Sequence, residues 1–208
     1  MTAEAVLSEI ANQCASCELC DLHHSRKNAL AGEGPSEADI LIVGEAPGFH
    51  ENEKGLPFVA ASGKLLDELL QSIHINREDV YITNIVKCRP PSNRDPKPEE
   101  LLACRLYLER QIEAINPKVI VTFGPNSTEN FIPGAKVSQI HGKPIGLDNR
   151  VIVPMYHPSA ALHQSSLKSV LEADFATLPG IITRANEILV NPPAEPVQKD
   201  YPHQLSLF

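Results

Sequence analysis

The polar residues best suited to chemistry lie where predicted buried strands end. Residues 40–43 form a short, β-branched apolar run typical of a strand buried on both faces, and this run passes directly into the turn Gly44-Glu-Ala-Pro-Gly48. Predicted strands over residues 80–86 and 151–156 carry Asn84 and lead into His157. Ligands of open α/β sheets bind beyond the carboxyl ends of the strands. The turn, the carboxamide and the imidazole therefore predict one binding or catalytic site.

Each of these features, taken alone, also has a structural explanation. A Gly/Pro-rich turn after a strand is often only a turn, and a buried Asn such as Asn84 can be a hydrogen-bonded structural amide. A single His at a strand end, such as His157, is more often structural than catalytic. Their occurrence together at one edge of the predicted sheet is what favours a functional site.

The five cysteines form a second candidate group: Cys14, Cys17, Cys20, Cys88 and Cys104. Their odd number argues against a disulfide framework. The Cys-x-x-Cys spacing of Cys14 and Cys17 lets two thiolates converge on one metal ion or cluster, although a buried or redox-active pair has the same spacing. Cys104 lies on the apolar face of a predicted helix, a position that fits a metal ligand and a small core residue equally well. The spacing does not choose the metal.

Composition limits the possible classes of function. The formal net charge of −8 argues against broad non-specific binding to nucleic acid, although positive residues outnumber acids between Lys87 and Arg110. We find no apolar run long enough to span a membrane, and the first residues lack the basic flank and apolar core of a signal peptide. We therefore expect a cytoplasmic protein that does not bind membranes.

The predicted elements alternate between short apolar strands and amphipathic helices. Helical spacing occurs over residues 3–13, 62–73, 98–115, 125–132 and 166–189, the last interrupted at Pro179-Gly180, while residues 87–96 read as an exposed basic loop. This alternation predicts an α/β fold with three α/β/α layers around a mostly parallel, four-stranded sheet. We expect one domain over residues 1–190 and a flexible tail over 191–208, where large apolar residues are scarce.

Taken in order, the motifs of residues 14–178 resemble those of the iron–sulfur uracil-DNA glycosylases known as family 4. The matching motifs are Cys14-x-x-Cys17, Gly44-Glu-Ala-Pro-Gly48, Gly55-x-Pro57-Phe58, Thr83-Asn-Ile-Val-Lys-Cys88-Arg-Pro-Pro91, Cys104 and His157-Pro158. The resemblance implies a uracil-DNA glycosylase of that fold, which hydrolyses the N-glycosidic bond of uracil in single- or double-stranded DNA and so begins base-excision repair.

The resemblance also implies the site residues. It places a structural [4Fe–4S] cluster on four cysteines, without Cys20: Cys14, Cys17, Cys88 and Cys104. It assigns uracil binding to six residues: Glu45, Ala46, Gly48, Phe58, Asn84 and His157. Among these, Phe58 stacks on the base, Asn84 reads its edge and His157 stabilises the departing anion.

Water handling is where the chain departs most from the family pattern. Ala46 stands where another glycosylase family has a water-activating Asp, which leaves Glu51 as the candidate for positioning the water. The chain has Phe49, His50 and Asn52 in place of the family's usual acidic run.

The expected partners are uracil-containing DNA and, through the tail, the bacterial sliding clamp. The candidate DNA contacts are Arg89, Arg94 and Lys143. The tail ends in a segment resembling the short peptide that binds the clamp, with Gln204, Leu205, Leu207 and Phe208 as its contacts. We expect a monomer. The alternative hypotheses are a DNA-damage-binding protein of the same fold without turnover and a metal-stabilised nucleotide-binding module.

Overall fold

The computed structural model describes residues 1–190 and has one central sheet. Its strands are β1 (Ile40–Gly44), β2 (Tyr81–Asn84), β3 (Val119–Phe123), β4 (Ile145–Leu147) and β5 (Arg150–Met155), in the spatial order β2-β1-β3-β5-β4. All neighbours are parallel except β4, which pairs antiparallel with β5. The α/β class is confirmed, but the expected number of four strands is wrong.

The strand missing from the sequence prediction is β4. It has three residues, none of them buried, and it turns back into β5 through Asp148, which has a positive φ of 51°. Because it lies at the sheet edge and lacks a buried apolar run, periodicity gave no sign of it.

Helices cover both faces of the sheet. They are α1 (Ala3–Ala15), α2 (Phe49–Lys54), α3 (Ala61–Ser72), α4 (Pro98–Ile115), α5 (Gly124–Phe131), α6 (Val137–Ile140), α7 (Pro158–His163), α8 (Ser165–Thr183) and α9 (Ala185–Val190). Alternate residues of β1 serve different cores: Ile42 packs with α3 and α8, and Leu41 packs with α1 and α4. The three-layer arrangement is therefore the one predicted.

Helix α8 contradicts the predicted interruption at Pro179-Gly180, because it continues through both residues to Thr183. Buried Phe175, Leu178 and Ile181 form one apolar stripe across the proline. We attribute the continuity to this packing, which offsets the backbone hydrogen bond that a proline removes.

The predicted exposed loop over residues 87–96 is wrong at its start. Lys87 and Cys88 are 1% and 4% exposed. The Lys87 ammonium finds hydrogen-bond acceptors inside the fold, and these acceptors make its burial possible.

Two further sequence expectations concern the C-terminal tail and membrane spans. The clamp-binding residues Gln204, Leu205, Leu207 and Phe208 lie outside the described residues. Within residues 1–190, no helix combines the length and apolarity needed to cross a membrane.

Candidate active site

The carboxyl ends of the parallel strands bring the predicted polar residues together. Gly44 at the end of β1 pairs in register with Asn84 at the end of β2. On the other side of β1, β3 ends at Phe123, and β5 ends at Met155, two residues before His157. The sheet topology therefore gathers residues distant in sequence at one edge.

Phe58 links the two sides of this edge. Its ring centroid lies 5.7 Å from that of His157 in a stacked arrangement and 5.8 Å from that of Phe123. A Cβ atom added to Gly44 would lie 3.0 Å from the Phe58 ring and would overlap Oδ1 of Asn84. Asn84 and Phe58 therefore meet over Gly44, with His157 beside the phenyl ring, and the expected convergence of imidazole, carboxamide and aromatic face is present.

The backbone of Phe58 is held in an unusual conformation. Its φ is 50°, in the left-handed region that aromatic residues seldom adopt. The Phe58 N–H donates to Oε1 of Glu51 at 2.8 Å, and its carbonyl lies so close to Gly63 in α3 that no side chain fits there. These contacts fix the ring over Gly44.

His157 is held in one tautomer by the start of α7. Its Nδ1 accepts hydrogen bonds from the Ser159 N–H at 3.1 Å and, in that tautomer, from the Ser159 hydroxyl at 2.7 Å. The proton of the neutral ring is therefore on Nε2. Although the residue keeps some solvent exposure, two aromatic rings enclose the imidazole, and burial lowers its pKa to about 4.

Two carboxylates lie at the turn after β1, Glu45 within it and Glu51 in the following helix α2, and both are already bonded. Glu51 accepts from the N–H of Gly48 and from that of Phe58, so it joins the turn to the stacking residue. Glu45 accepts from Nδ2 of Asn126 at 2.7 Å, and burial raises its pKa. The side chain of Ala46 is partly buried against the core beside α1 and α4.

The sequence did not single out three residues of this site. Phe123 forms an aromatic wall against Phe58 and His157, Asn126 binds Glu45, and Ser159 sets the tautomer of His157. Phe123 lies near the end of an apolar run over residues 118–124 that predicts a strand, and Asn126 and Ser159 follow predicted strands by a few residues. This position was the only available signal.

The cysteines lie in the core between the sheet, α1 and α4. Cys14, Cys88 and Cys104 are buried, and Cys17 and Cys20 pack partly buried against the same cluster. Burial raises the pKa of Cys14 to about 12 and that of Cys104 to about 11, and neighbouring cysteines contribute to both shifts. Sequence reasoning left Cys20 aside, yet its charge acts on Cys88 and Cys104.

The donor set is compatible with an iron–sulfur cluster. Within residues 1–190, no three His, Cys, Asp or Glu residues are arranged to hold a single metal ion. In a four-iron cluster each cysteine binds a different iron, so the sulfurs stand further apart than around one ion. Nη1 of Arg26 donates to Sγ of Cys88, and the Lys87 N–H donates to Sγ of Cys104, each at 3.4 Å. Such hydrogen bonds stabilise cluster thiolates.

The candidate DNA contacts differ in how free their charges are. The Arg89 guanidinium lies 5.2 Å from the centroid of the exposed Phe49 ring, whereas Arg94 binds both carboxylate oxygens of buried Glu100. Lys143 is exposed and donates to the Gln139 carbonyl. Most cations between Lys87 and Arg110 have hydrogen-bond or ion-pair partners. The excess of positive residues in the sequence therefore overstates the basic character of this surface.

Comparison with known proteins gives this fold and site a family. The family model described as the uracil DNA glycosylase superfamily matches residues 31–176. A type-4 uracil-DNA glycosylase of Sulfurisphaera tokodaii is 44% identical over 182 residues and 81% of either chain. The type-4 enzyme of Saccharolobus solfataricus is 45% identical over 81% of this chain and 83% of its own. That of Thermotoga maritima is also 45% identical, over 79% of this chain and 88% of its own. The chain belongs to the uracil-DNA glycosylase superfamily and, within it, to the type-4 family.

The pKa of His157 provides a direct test of this site. We expect a neutral ring with its proton on Nε2 at pH 7, protonating only near pH 4 rather than near 6.5. Because the folded pKa is below the unfolded one, the unfolded chain takes up the proton first, and this group lowers stability as pH falls below about 6.5. Heteronuclear NMR of the imidazole measures both properties.

Ser159→Ala is the matched variant for this measurement. It removes the hydroxyl contact but keeps the backbone N–H on Nδ1, so the Nε2–H tautomer should persist. A ring that titrates near 6.5 in the unaltered protein would contradict the assignment.

Proposed function

We infer that this protein is a uracil-DNA glycosylase: it hydrolyses the N-glycosidic bond of uracil in DNA, leaves an abasic site and acts in DNA repair. The convergence of Phe58, Asn84 and His157 at one edge of the sheet carries this conclusion. These three groups match the three demands of the reaction, which are to hold the base, to read it and to stabilise it as it leaves.

Phe58 and Asn84 would recognise uracil after the nucleotide has left the base stack. A stacked aromatic ring contributes about 1–3 kcal/mol per base. The Asn84 carboxamide can accept from uracil N3–H and donate to O4. Cytosine presents the reverse pattern, which would leave buried groups unpaired at a cost of about 1–3 kcal/mol each.

His157 would stabilise the leaving group. Cleavage leaves negative charge on uracil O2, and a neutral imidazole with its proton on Nε2 can donate to that oxygen, helped by backbone N–H groups of the Glu45–Gly48 turn. A donor fixed before the reaction is worth about 3–4 kcal/mol in the transition state. The low pKa of His157 supports a hydrogen-bond donor rather than a cation in this role.

Glu51 would combine two roles. Its contacts with Gly48 and Phe58 hold the turn and the stacking ring, and each carboxylate oxygen keeps lone-pair capacity that can orient the attacking water. Glu45, fixed by Asn126, is the carboxylate within the turn itself.

We propose that Cys14, Cys17, Cys88 and Cys104 hold a [4Fe–4S] cluster. When bound, such a cluster would supply a structural cross-link. These cysteines come from the end of α1, the segment after it, the segment after β2, and α4. The N–H groups directed at Cys88 and Cys104 support this proposal.

DNA would approach the same edge of the sheet. Arg89, with its guanidinium over exposed Phe49, is the best placed of the three candidates because its cation has no carboxylate partner within residues 1–190. Lys143 remains a candidate, and Arg94 would contribute less because Glu100 compensates its charge. A monomeric, cytoplasmic enzyme that binds the sliding clamp through residues 204–208 remains our prediction for the whole chain.

The central experiment measures uracil release from single-stranded DNA and from duplexes with a U·G mismatch. His157→Ala should lower kcat by at least about tenfold, because a preorganised donor is lost. His74→Asn is the control, since His74 is exposed and its positive φ suits Asn. A DNA-binding protein without turnover would release no base in any variant, and an unchanged rate in His157→Ala would remove His157 from the mechanism.

A second variant tests the space above Gly44. The Cβ of Gly44→Ala would overlap Asn84 and press on Phe58, so we expect uracil release to fall at least about tenfold while the fold survives. Gly180→Ala is the matched control, because a Cβ there meets nothing within 4 Å. Circular dichroism of both variants checks folding, and full activity in Gly44→Ala would show that the pocket lies elsewhere.

The proposed cluster predicts opposite results for substitution of two cysteines, Cys104 and Cys20. Cys104→Ala should lose iron and the visible absorption of an iron–sulfur cluster, whereas Cys20→Ala should keep both. Iron analysis and absorption spectroscopy of anaerobically purified protein measure this. Loss of iron in Cys20→Ala with retention in Cys104→Ala would reverse the ligand assignment.

A further inference from the structure

Among residues 1–190, Lys87 has the largest polar side chain that is almost completely buried, with 1% of its surface exposed. Its ammonium lies 2.7 Å from Oγ1 of Thr83, 2.8 Å from the carbonyl oxygen of Asn84 and 2.6 Å from Oε1 of Gln111. The three acceptors match the three hydrogens of an ammonium group. The side chain is therefore held in one place.

These three acceptors are all neutral. No carboxylate of residues 1–190 lies within ion-pair distance of the Lys87 ammonium, which is unusual because an isolated buried charge costs several kcal/mol. Hydrogen bonds to neutral oxygens therefore hold the ammonium in the core.

The backbone of Lys87 contacts one of the cysteines. Its N–H donates to Sγ of Cys104 at 3.4 Å. Gln111 follows Cys104 on α4 by two helical turns, and its amide nitrogen binds the Ala31 carbonyl at 2.7 Å and the Tyr81 hydroxyl at 3.2 Å. Lys87 therefore connects Cys104 and Gln111 of α4 with the carboxyl end of β2.

The other end of this connection is the base-reading residue. The carbonyl that accepts from Lys87 belongs to Asn84, whose own carboxamide reaches over Gly44 toward Phe58. Fixing that carbonyl fixes the peptide from which the Asn84 side chain projects. A shift of this peptide would move the carboxamide relative to the phenyl ring.

We propose that Lys87 is a positioning residue that, through the Asn84 carbonyl, holds the base-reading carboxamide in place. This inference rests on the proposed function. The ammonium, held in turn by Thr83 and Gln111, keeps the Asn84 peptide in register with Phe58.

The test replaces Lys87 with methionine, which is similar in length and uncharged. The affinity for free uracil, measured by NMR titration, should fall at least about tenfold as Asn84 loosens. Lys118→Met is the control, because Lys118 is exposed and pairs with Asp39.

A lysine with a merely structural role would give a different result. Lys87→Met would then lower the melting temperature but leave uracil affinity within about twofold of the unaltered protein, and this outcome would overturn the proposal. Should Lys87→Met not fold, Thr83→Val removes one of the three acceptors and keeps the ammonium buried. Uracil affinity should then fall at least about threefold, and an unchanged value would overturn the proposal equally.

Failure of the proposal can be distinguished from failure of the proposed function. If the unaltered protein releases no uracil from DNA, the enzymatic assignment fails, while uracil affinity still measures the role of Lys87. If the unaltered protein releases uracil and Lys87→Met binds free uracil equally well, only the proposal fails.

Discussion

The site depends on the pairing of β1 with β2, which sets Gly44 directly beside Asn84. Parallel strands end at the same edge, and register decides which of their residues are neighbours there. A side chain at position 44 would occupy the space that Asn84 and Phe58 share. Asn84 and Phe58 can therefore approach each other because the residue beneath them has no side chain.

The electrostatics of the site follow from limited access of water. Burial between aromatic rings lowers the pKa of His157 and keeps it neutral, and burial raises the pKa of Glu45. A neutral donor and fixed dipoles suit a reaction in which negative charge appears on a leaving base. The protein is acidic overall, so under the proposed function attraction to DNA would come from local groups such as Arg89 rather than from net charge.

The two faces of the sheet contribute differently. The face covered by α3 and α8 supports Phe58 and Phe123, whereas the face covered by α1 and α4 contains the cysteines and the Lys87 network. Neighbouring residues of β2 point to opposite faces. Asn84, at the end of that strand, is where the aromatic wall and the cysteine layer meet.

The sequence by itself determined the fold class, most helix positions and the principal candidates, because apolar periodicity and strand-end motifs are local signals that survive in one dimension. It named Phe58, Asn84 and His157, and the fold brings them together. Only the tertiary structure decided that β4 forms, that α8 continues through Pro179, that Ser159 sets the histidine tautomer and that Lys87 is buried. Each of these four features depends on partners distant in sequence or on packing that overrides local preference. Both causes arise only when the chain has folded.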